Sequence, residues 1–308
     1  IMRIWRRHSF ISWTRSRGSD RMLASELSSH RVVAATEQSR FAAWRAAAAM
    51  EVAKTLTLRS WWIGFAVILA LNLYFTYNGV ILARGALPTL HDGVVLDDLE
   101  GAVPLERYVG DMIISAPYQS MAVFFPLLLV MVCGQDYRSG QKQLQLTALA
   151  VPSGARRAAA GMTFAFVATV GSTITVFLLS DAVLWLMLPA PARSVIVSAA
   201  GILSCLRIAL VACVMTVTAL AVTVLMRSTL AGTIFIVLQA VASMSGLLRI
   251  IGQGVNNVLP MIAAKTFLFG YQREPGEPGA TAGTMILAGW LAVSALTVMI
   301  NGTRRAVV

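Results

Sequence analysis

Long apolar runs separated by polar stretches dominate the chain after residue 60. The first run, Trp61 to about Ala83, matches the roughly 20 residues needed to cross a hydrocarbon core. Trp61 and Trp62 mark its interfacial end. Further runs cover about 117–132, 158–188, 194–225, 230–248 and 284–300. The pattern predicts an all-α membrane protein with six transmembrane helices. The second run is short and holds Pro126, so its outer edge lies at Pro117–Tyr118 or its helix extends upstream. The third and fourth runs, at about 1.5 Å per residue, exceed the core thickness and have to tilt or protrude. In 249–283 the first half, IIGQGVNNVLPMIAAKTFLFG, is too apolar for a free loop and is broken by Gly252, Gly254 and Pro260. It fits two short half-helices that dip into the membrane under cover of protein. The second half, YQREPGEPGATAG, reads as a polar connector.

The segments around these runs are amphipathic or polar. Residues 1–39 are basic and Ser-rich and read as a disordered cytoplasmic tail. Residues 40–60 are rich in helix formers, with Phe41, Trp44, Ala48 and Val52 near one face and Arg40, Arg45, Glu51 and Lys54 on the others. That is an N-terminal amphipathic helix lying at the membrane interface. Residues 84–116 hold Asp92, Asp97, Asp98, Glu100, Glu106 and Asp111 without calcium-loop spacing, and read as a solvated acidic loop. Between runs two and three lies a polar island, 134–157, with Asp136, Arg138, Lys142, Arg156 and Arg157. Gln141 to Val151 can form about three helical turns with Leu144, Ala148 and Val151 on one side. Such a helix lies flat on a membrane or docks in a partner's groove.

Composition supports the membrane reading. Hydrophobic residues make up 57% of the 308 and charged residues 13%, about half the usual share of a soluble domain, and mean hydropathy is +0.72. The net charge of +11 suggests nucleic acid, but the basic residues form no stripe with interleaved aromatics, so no nucleic-acid partner is expected. Their placement follows topology. Eleven Lys/Arg precede the first run, four lie in 134–157, and Arg227, Arg304 and Arg305 complete eighteen on one side, against seven on the other. The positive-inside rule then places both termini in the cytoplasm.

Candidate chemistry is sparse. There is no GxxxxGK[ST], HExxH or GxSxG, and His8, His30 and His91 are scattered, so no catalytic, cofactor-binding or metal set is expected. Cys133, Cys205 and Cys213 lie in or beside apolar runs, without metal spacing. Asn72 and Asn78, inside the first run, are expected to face protein. Asp181 and Arg207 are charges inside the runs, and such residues usually pair or face water. Either they pair near the outer ends of runs three and four, or Arg207 snorkels to the outer headgroups and Asp181 meets water or a hydroxyl. The chain therefore shows no engine of its own.

Three features resemble the membrane-spanning subunit of bacterial ABC-2 type ABC transporters. They are MEVAKTLTLRSWW at 50–62, GQDYRSGQKQLQLTALAVPSGARR at 134–157, and six runs with a broken apolar segment before the last. Gly134, Asp136, Arg138, Gly140, Leu146, Thr147, Pro152, Arg156 and Arg157 match places in the family's loop. Asp136 and Gln141 stand where Glu and Thr are usual, and no Lys follows the basic pair. The resemblance implies an ABC-2 exporter-like fold in the bacterial plasma membrane. It implies a homo- or heterodimer of permease subunits and a separate ATPase subunit that binds the ATP. The coupling loop would be 134–157, with Leu144, Ala148 and Val151 as the apolar contact and Asp136, Arg138, Gly140, Arg156 and Arg157 around them. The alternative is a non-transporting six-span membrane protein, such as an immunity or regulatory subunit.

The topology is open to cysteine labelling in intact cells. Probes placed at Asp98 and Gly276 should react with a membrane-impermeant reagent, and probes at Gln141 and Arg305 should not. External labelling at Gln141 would reverse the orientation.

Overall fold

The computed structural model describes residues 42, 44–97, 101–134, 154–272 and 275–304. The chain is mostly helical. Helix α1 covers residues 44–57 and ends where Leu58 turns extended, at φ −78° and ψ 119°. Then come α2 (Arg59–Ala86) and a short hairpin of β1 (Val94–Asp97) and β2 (Gly101–Pro104). After it run α3 (Leu105–Cys133), α4 (Gly154–Met187), α5 (Ala190–Ile196) and α6 (Ala199–Met226). The last part holds α7 (Thr229–Ser245), α8 (Leu248–Ile251), α9 (Gln253–Asn257), α10 (Pro260–Phe269) and α11 (Ala280–Arg304). Five of these, α2, α3, α4, α6 and α11, are long and apolar enough to cross a membrane. The chain is thus compatible with a multi-pass membrane protein. Helix α7 has 17 residues, or about 26 Å at 1.5 Å per residue, and is apolar but shorter.

Helix α6 is the axis. It is apolar on every side and rich in Ala, so it reads as a helix surrounded by others, and every residue from Val211 to Leu220 is buried. It packs on α11, α4, α7 and α3. The outer helices expose apolar side chains such as Ile63 and Leu82 on α2 and Met285 and Leu296 on α11. In water that belt would be a liability, and in hydrocarbon it is the expected outer surface. Small residues set the close crossings. A Cβ on Gly232 of α7 would collide with Thr223 of α6 and press on Val130 of α3, and one on Gly283 of α11 would collide with Thr266 of α10.

Two contacts define one end of the bundle. Ala47 of α1 packs on Ala160 near the start of α4, and Gly134, just past α3, lies so close to Thr229 at the start of α7 that no side chain fits. The opposite end is a cap made of the hairpin, α5 and α8–α10.

Several boundaries differ from the apolar runs. Residues 84–116 are not one polar loop. Asp92 (φ 49°) and Gly93 (φ 79°) are both left-handed, and His91 and Val94 exchange backbone hydrogen bonds around them. That is a two-residue Asp-Gly turn of the kind that favours hairpins, here folding His91 back on Val94 at the start of β1. Glu106 and Asp111 already belong to α3, which starts at Leu105, so the second apolar run was only the inner part of a 29-residue helix. The fourth run is not continuous either. Ser198 breaks it and caps α6, its Oγ accepting from Gly201 N at 3.2 Å. The broken segment 249–283 does form short helices, and α10 is the buried one.

The close crossings are testable. Gly232→Leu should lower the thermal midpoint of the detergent-purified protein, by an amount corresponding to about 1–3 kcal/mol of overpacking. Gly289→Leu, at an exposed position where an added Cβ meets nothing within 4 Å, should not. Equal effects would mean that α7 has room to move.

Candidate functional site

A buried polar cluster joins α2, α3 and α4. Asn72 is fully buried, and its Nδ2 donates to Ser180 Oγ at 2.7 Å and to the Val176 carbonyl at 3.3 Å. Its Oδ1 accepts from Ser120 Oγ at 3.2 Å. Thr76 Oγ1 donates to the Asn72 carbonyl at 2.9 Å and lies 3.1 Å from Ser180 Oγ, so the Ser180 hydroxyl is left to donate to Thr76. Each hydroxyl thereby has a partner, as a water-free interior requires.

The cluster sits where α3 changes pitch. Ser120–Phe124 form one π turn between Pro117 and Pro126. A proline inside a helix frees the carbonyl one turn back and blocks regular continuation. A π turn is one way to absorb that, and such turns recur at functional sites. Toward the cap, a cleft of about 200 Å³ opens between α2, α3, β2 and α4. Thr76 lines it together with Tyr108, Asp111 and Ser115, so the polar cluster and the cleft share a side chain. Tyr271 OH donates to Asp111 Oδ2, and the Arg107 guanidinium lies 3.9 Å from the Tyr271 ring centroid. This stack ties the segment after α10 to the start of α3. A second tie is the ion pair of Arg249 with the buried Glu277, at 3.7 Å.

Cations expected on the outer side serve the backbone. Arg84 Nη2 donates to the Met187 carbonyl at 3.0 Å, at the C-terminus of α4, and Arg193 Nε to the Leu188 carbonyl at 2.9 Å. Lys265 Nζ donates to the Ser243 carbonyl at 3.4 Å, in the last turn of α7. Each places positive charge on carbonyls that a helix end leaves unbonded.

The intramembrane charges come out differently from the sequence reading. Among the described residues no ion pair joins Asp181 to Arg207. Asp181 Oδ1 is buried without a hydrogen-bond partner. Its electrostatic neighbour on α6 is Cys205. Arg207 lies two residues further on, about 200° around the helix, so it cannot face the same way. Of the two asparagines expected to face protein, Asn72 does, and Asn78 is half-buried and bonds the Tyr74 carbonyl of its own helix.

Of the loop residues, Asp136, Arg138, Gly140, Leu144, Ala148 and Val151 lie outside the described residues. Arg156 and Arg157 are half-buried in the first turn of α4. Among the described residues no group of three His, Cys, Asp or Glu could hold a metal. Sequence reasoning marked Asn72 but missed Ser120, Thr76 and Ser180. Serine and threonine are ordinary in membrane helices, and only the Pro117–Pro126 spacing pointed at the irregular turn. Compared with known proteins, the chain matches no family model, no curated protein and no solved structure.

Asn72→Leu should cost about 1–3 kcal/mol of stability, because it strands the Ser120 hydroxyl in the interior and removes the donor to Ser180 Oγ. Asn78→Leu, losing one bond within its own helix, should cost far less. Thermal unfolding in detergent compares them, and similar losses would show that the cluster contributes nothing special.

Proposed function

We propose that the chain is the membrane-spanning permease subunit of an ATP-driven transporter of the ABC-2 type, an exporter moved by a separate ATPase subunit. In this reading α2, α3, α4, α6, α7 and α11 make six crossings of a bacterial plasma membrane. Both termini are cytoplasmic, and α1 lies at the inner interface. Two permease subunits pair.

One observation carries the reading beyond the resemblance in the sequence. The segment 134–157 is held at both ends by different parts of the bundle. It leaves α3 at Gly134, wedged against the start of α7, and joins α4 just before Ala160, which packs on α1. A partner pulling on this segment would load α3, α4, α7 and α1 at once. Leu144, Ala148 and Val151 would give that partner an apolar contact, with Asp136, Arg138, Gly140, Arg156 and Arg157 around it. The π turn in α3 supplies a place where such a load can change helix pitch. Transport then needs no catalytic group in this chain, because ATP is bound and hydrolysed by the partner.

The test is co-purification with the ATPase encoded beside this chain. The wild-type chain should bring it down, and Leu144→Asp should cut recovery by about tenfold or more while membrane insertion stays unchanged, as expected for losing one buried leucine. A wild-type chain that retains no ATPase would remove the transport reading in favour of a non-transporting membrane protein.

A further inference from the structure

Two charges in the half of the bundle nearer the cap lack a partner within the chain. Asp181 of α4 is half-buried at the edge of an exposed apolar surface, since Leu178 and Trp185, one turn to either side of it, are both exposed. Its Oδ1 is enclosed without a hydrogen bond, and its Oδ2 is left at the surface. Arg207 of α6 is half-buried too, and among the described residues nothing bonds it. Asp181 lies six residues before the end of α4 at Met187, and Arg207 eight after the start of α6 at Ala199. At 1.5 Å per residue those are depths of about 9 and 12 Å along the helices. The aspartate is too short to reach headgroups from there, and a charge left alone in hydrocarbon is costly.

Between the two charges stands an apolar ridge. On α6, Ile202, Leu203, Leu206 and Leu210 are all exposed, and at about 100° per residue they fall within about 60° of Leu206. Cys205, the electrostatic neighbour of Asp181, is about 100° to one side of Leu206, and Arg207 is about 100° to the other. The negative group therefore flanks the ridge on one side and the positive group on the other. Cys205 and Arg207 differ by about 3 Å along the axis, so the two charges also lie at nearly one depth.

Lipid tails or any apolar helix would cover such a ridge, but neither would answer the charges. The charge pattern is complementary to itself. A two-fold axis along the membrane normal keeps every residue at its depth and sets each flank of one ridge against the opposite flank of the other. We propose that two copies of this chain pair through this ridge, with Leu206 near the axis and Asp181 of each copy bonded to Arg207 of the other. Two identical ion pairs then flank one apolar contact, and each charge gains the partner that its own chain does not supply. The inference gives the paired subunits of the proposed function a face and a partner, rests on that part of the reading alone, and does not involve the ATPase.

Full-length chains carrying two different tags, co-expressed and captured in detergent through one tag, read the contact. Wild-type copies should retain each other. Asp181→Arg, which makes both flanks positive, should cut self-association about tenfold or more, and so should Arg207→Asp, which makes both negative, because buried charges are left unmatched. Co-expressing the Asp181→Arg chain with the Arg207→Asp chain should restore capture, since each then opposes the charges of the other. An ion pair within one chain gives no such rescue. In native membranes, Leu206→Cys in a Cys205→Ala chain should form a disulfide dimer on oxidation, and Met285→Cys, exposed on α11, should not. Should a charge variant fail to insert, the Leu206 cross-link decides. Wild-type copies that do not associate would leave the ridge to lipid and overturn the proposal. So would a mixed pair of inserted variants that associates no better than either with itself, or a dimer cross-linked at Met285 and not at Leu206. Neither readout uses the ATPase, so its absence from the preparation bears on the transport reading alone.

Discussion

Everything in this fold depends on burying the middle of α6 on all sides, from Val211 to Leu220. A helix with no polar face can be stable only if other helices or lipid surround it. Here the small side chains of Ala209, Ala212 and Ala219 let neighbours approach its backbone, and glycines on those neighbours remove the remaining bulk. Where α6 carries hydroxyls, they bond along or across the packing. Thr218 returns its proton to the Val214 carbonyl at 2.7 Å and accepts from Ser294 of α11 at 3.2 Å. Thr223 bonds the Ala219 carbonyl at 2.8 Å. The axis thus brings α3, α4, α7 and α11 together mainly by shape, with a few hydrogen bonds fixing register.

The same rule, that no polar group goes unsatisfied in a dry interior, explains the periphery. Asn72 uses both ends of its amide to hold α2 to α3 and α4. Arg84, Arg193 and Lys265 satisfy carbonyls where α4 and α7 end. Trp290 Nε1 reaches from α11 to the Val258 carbonyl at 2.8 Å, at the joint between α9 and α10. Side chains close part of the open backbone of the broken segment after α7: Ser245 Oγ accepts from Leu247 N, Tyr118 OH donates to the Met261 carbonyl, and the Gln253 and Asn257 amides donate to the Gly276 carbonyl. Among the described residues Asp181 Oδ1 and the side-chain amides of Gln239 and Asn256 depart from the rule, as buried polar atoms without a hydrogen-bond partner.

These features divide the molecule into a stiff axis and two ends built differently. The cap end is laced by side-chain bonds: the Tyr271–Asp111 contact under Arg107, the Arg249–Glu277 pair, and the amides of Gln253 and Asn257 on the Gly276 carbonyl, at 3.0 and 2.8 Å. At the α1 end, Ala47 of α1 rests on Ala160 of α4, and Gly134, just past α3, rests on Thr229 of α7.

The sequence by itself determined what periodicity and transfer free energy control. Apolar runs of membrane length, an amphipathic helix before them and a broken apolar segment near the end were legible, because each depends on residues near one another in the chain. The need for Asn72 to face protein was legible for the same reason. Helix ends and partnerships were not. The upstream turns of α3 hide behind Glu106, Arg107 and Asp111, and the break before α6 turns on Ser198, one hydroxyl in an otherwise apolar run. Asp181 and Arg207 look like a pair at the level of depth and charge. Whether two side chains meet depends on rotation about the helix axis, which the packing of α4 on α6 decides. Likewise, the cluster of Asn72, Thr76, Ser120 and Ser180 exists only because three helices cross there, and hydroxyls elsewhere in the same helices merely bond their own backbone.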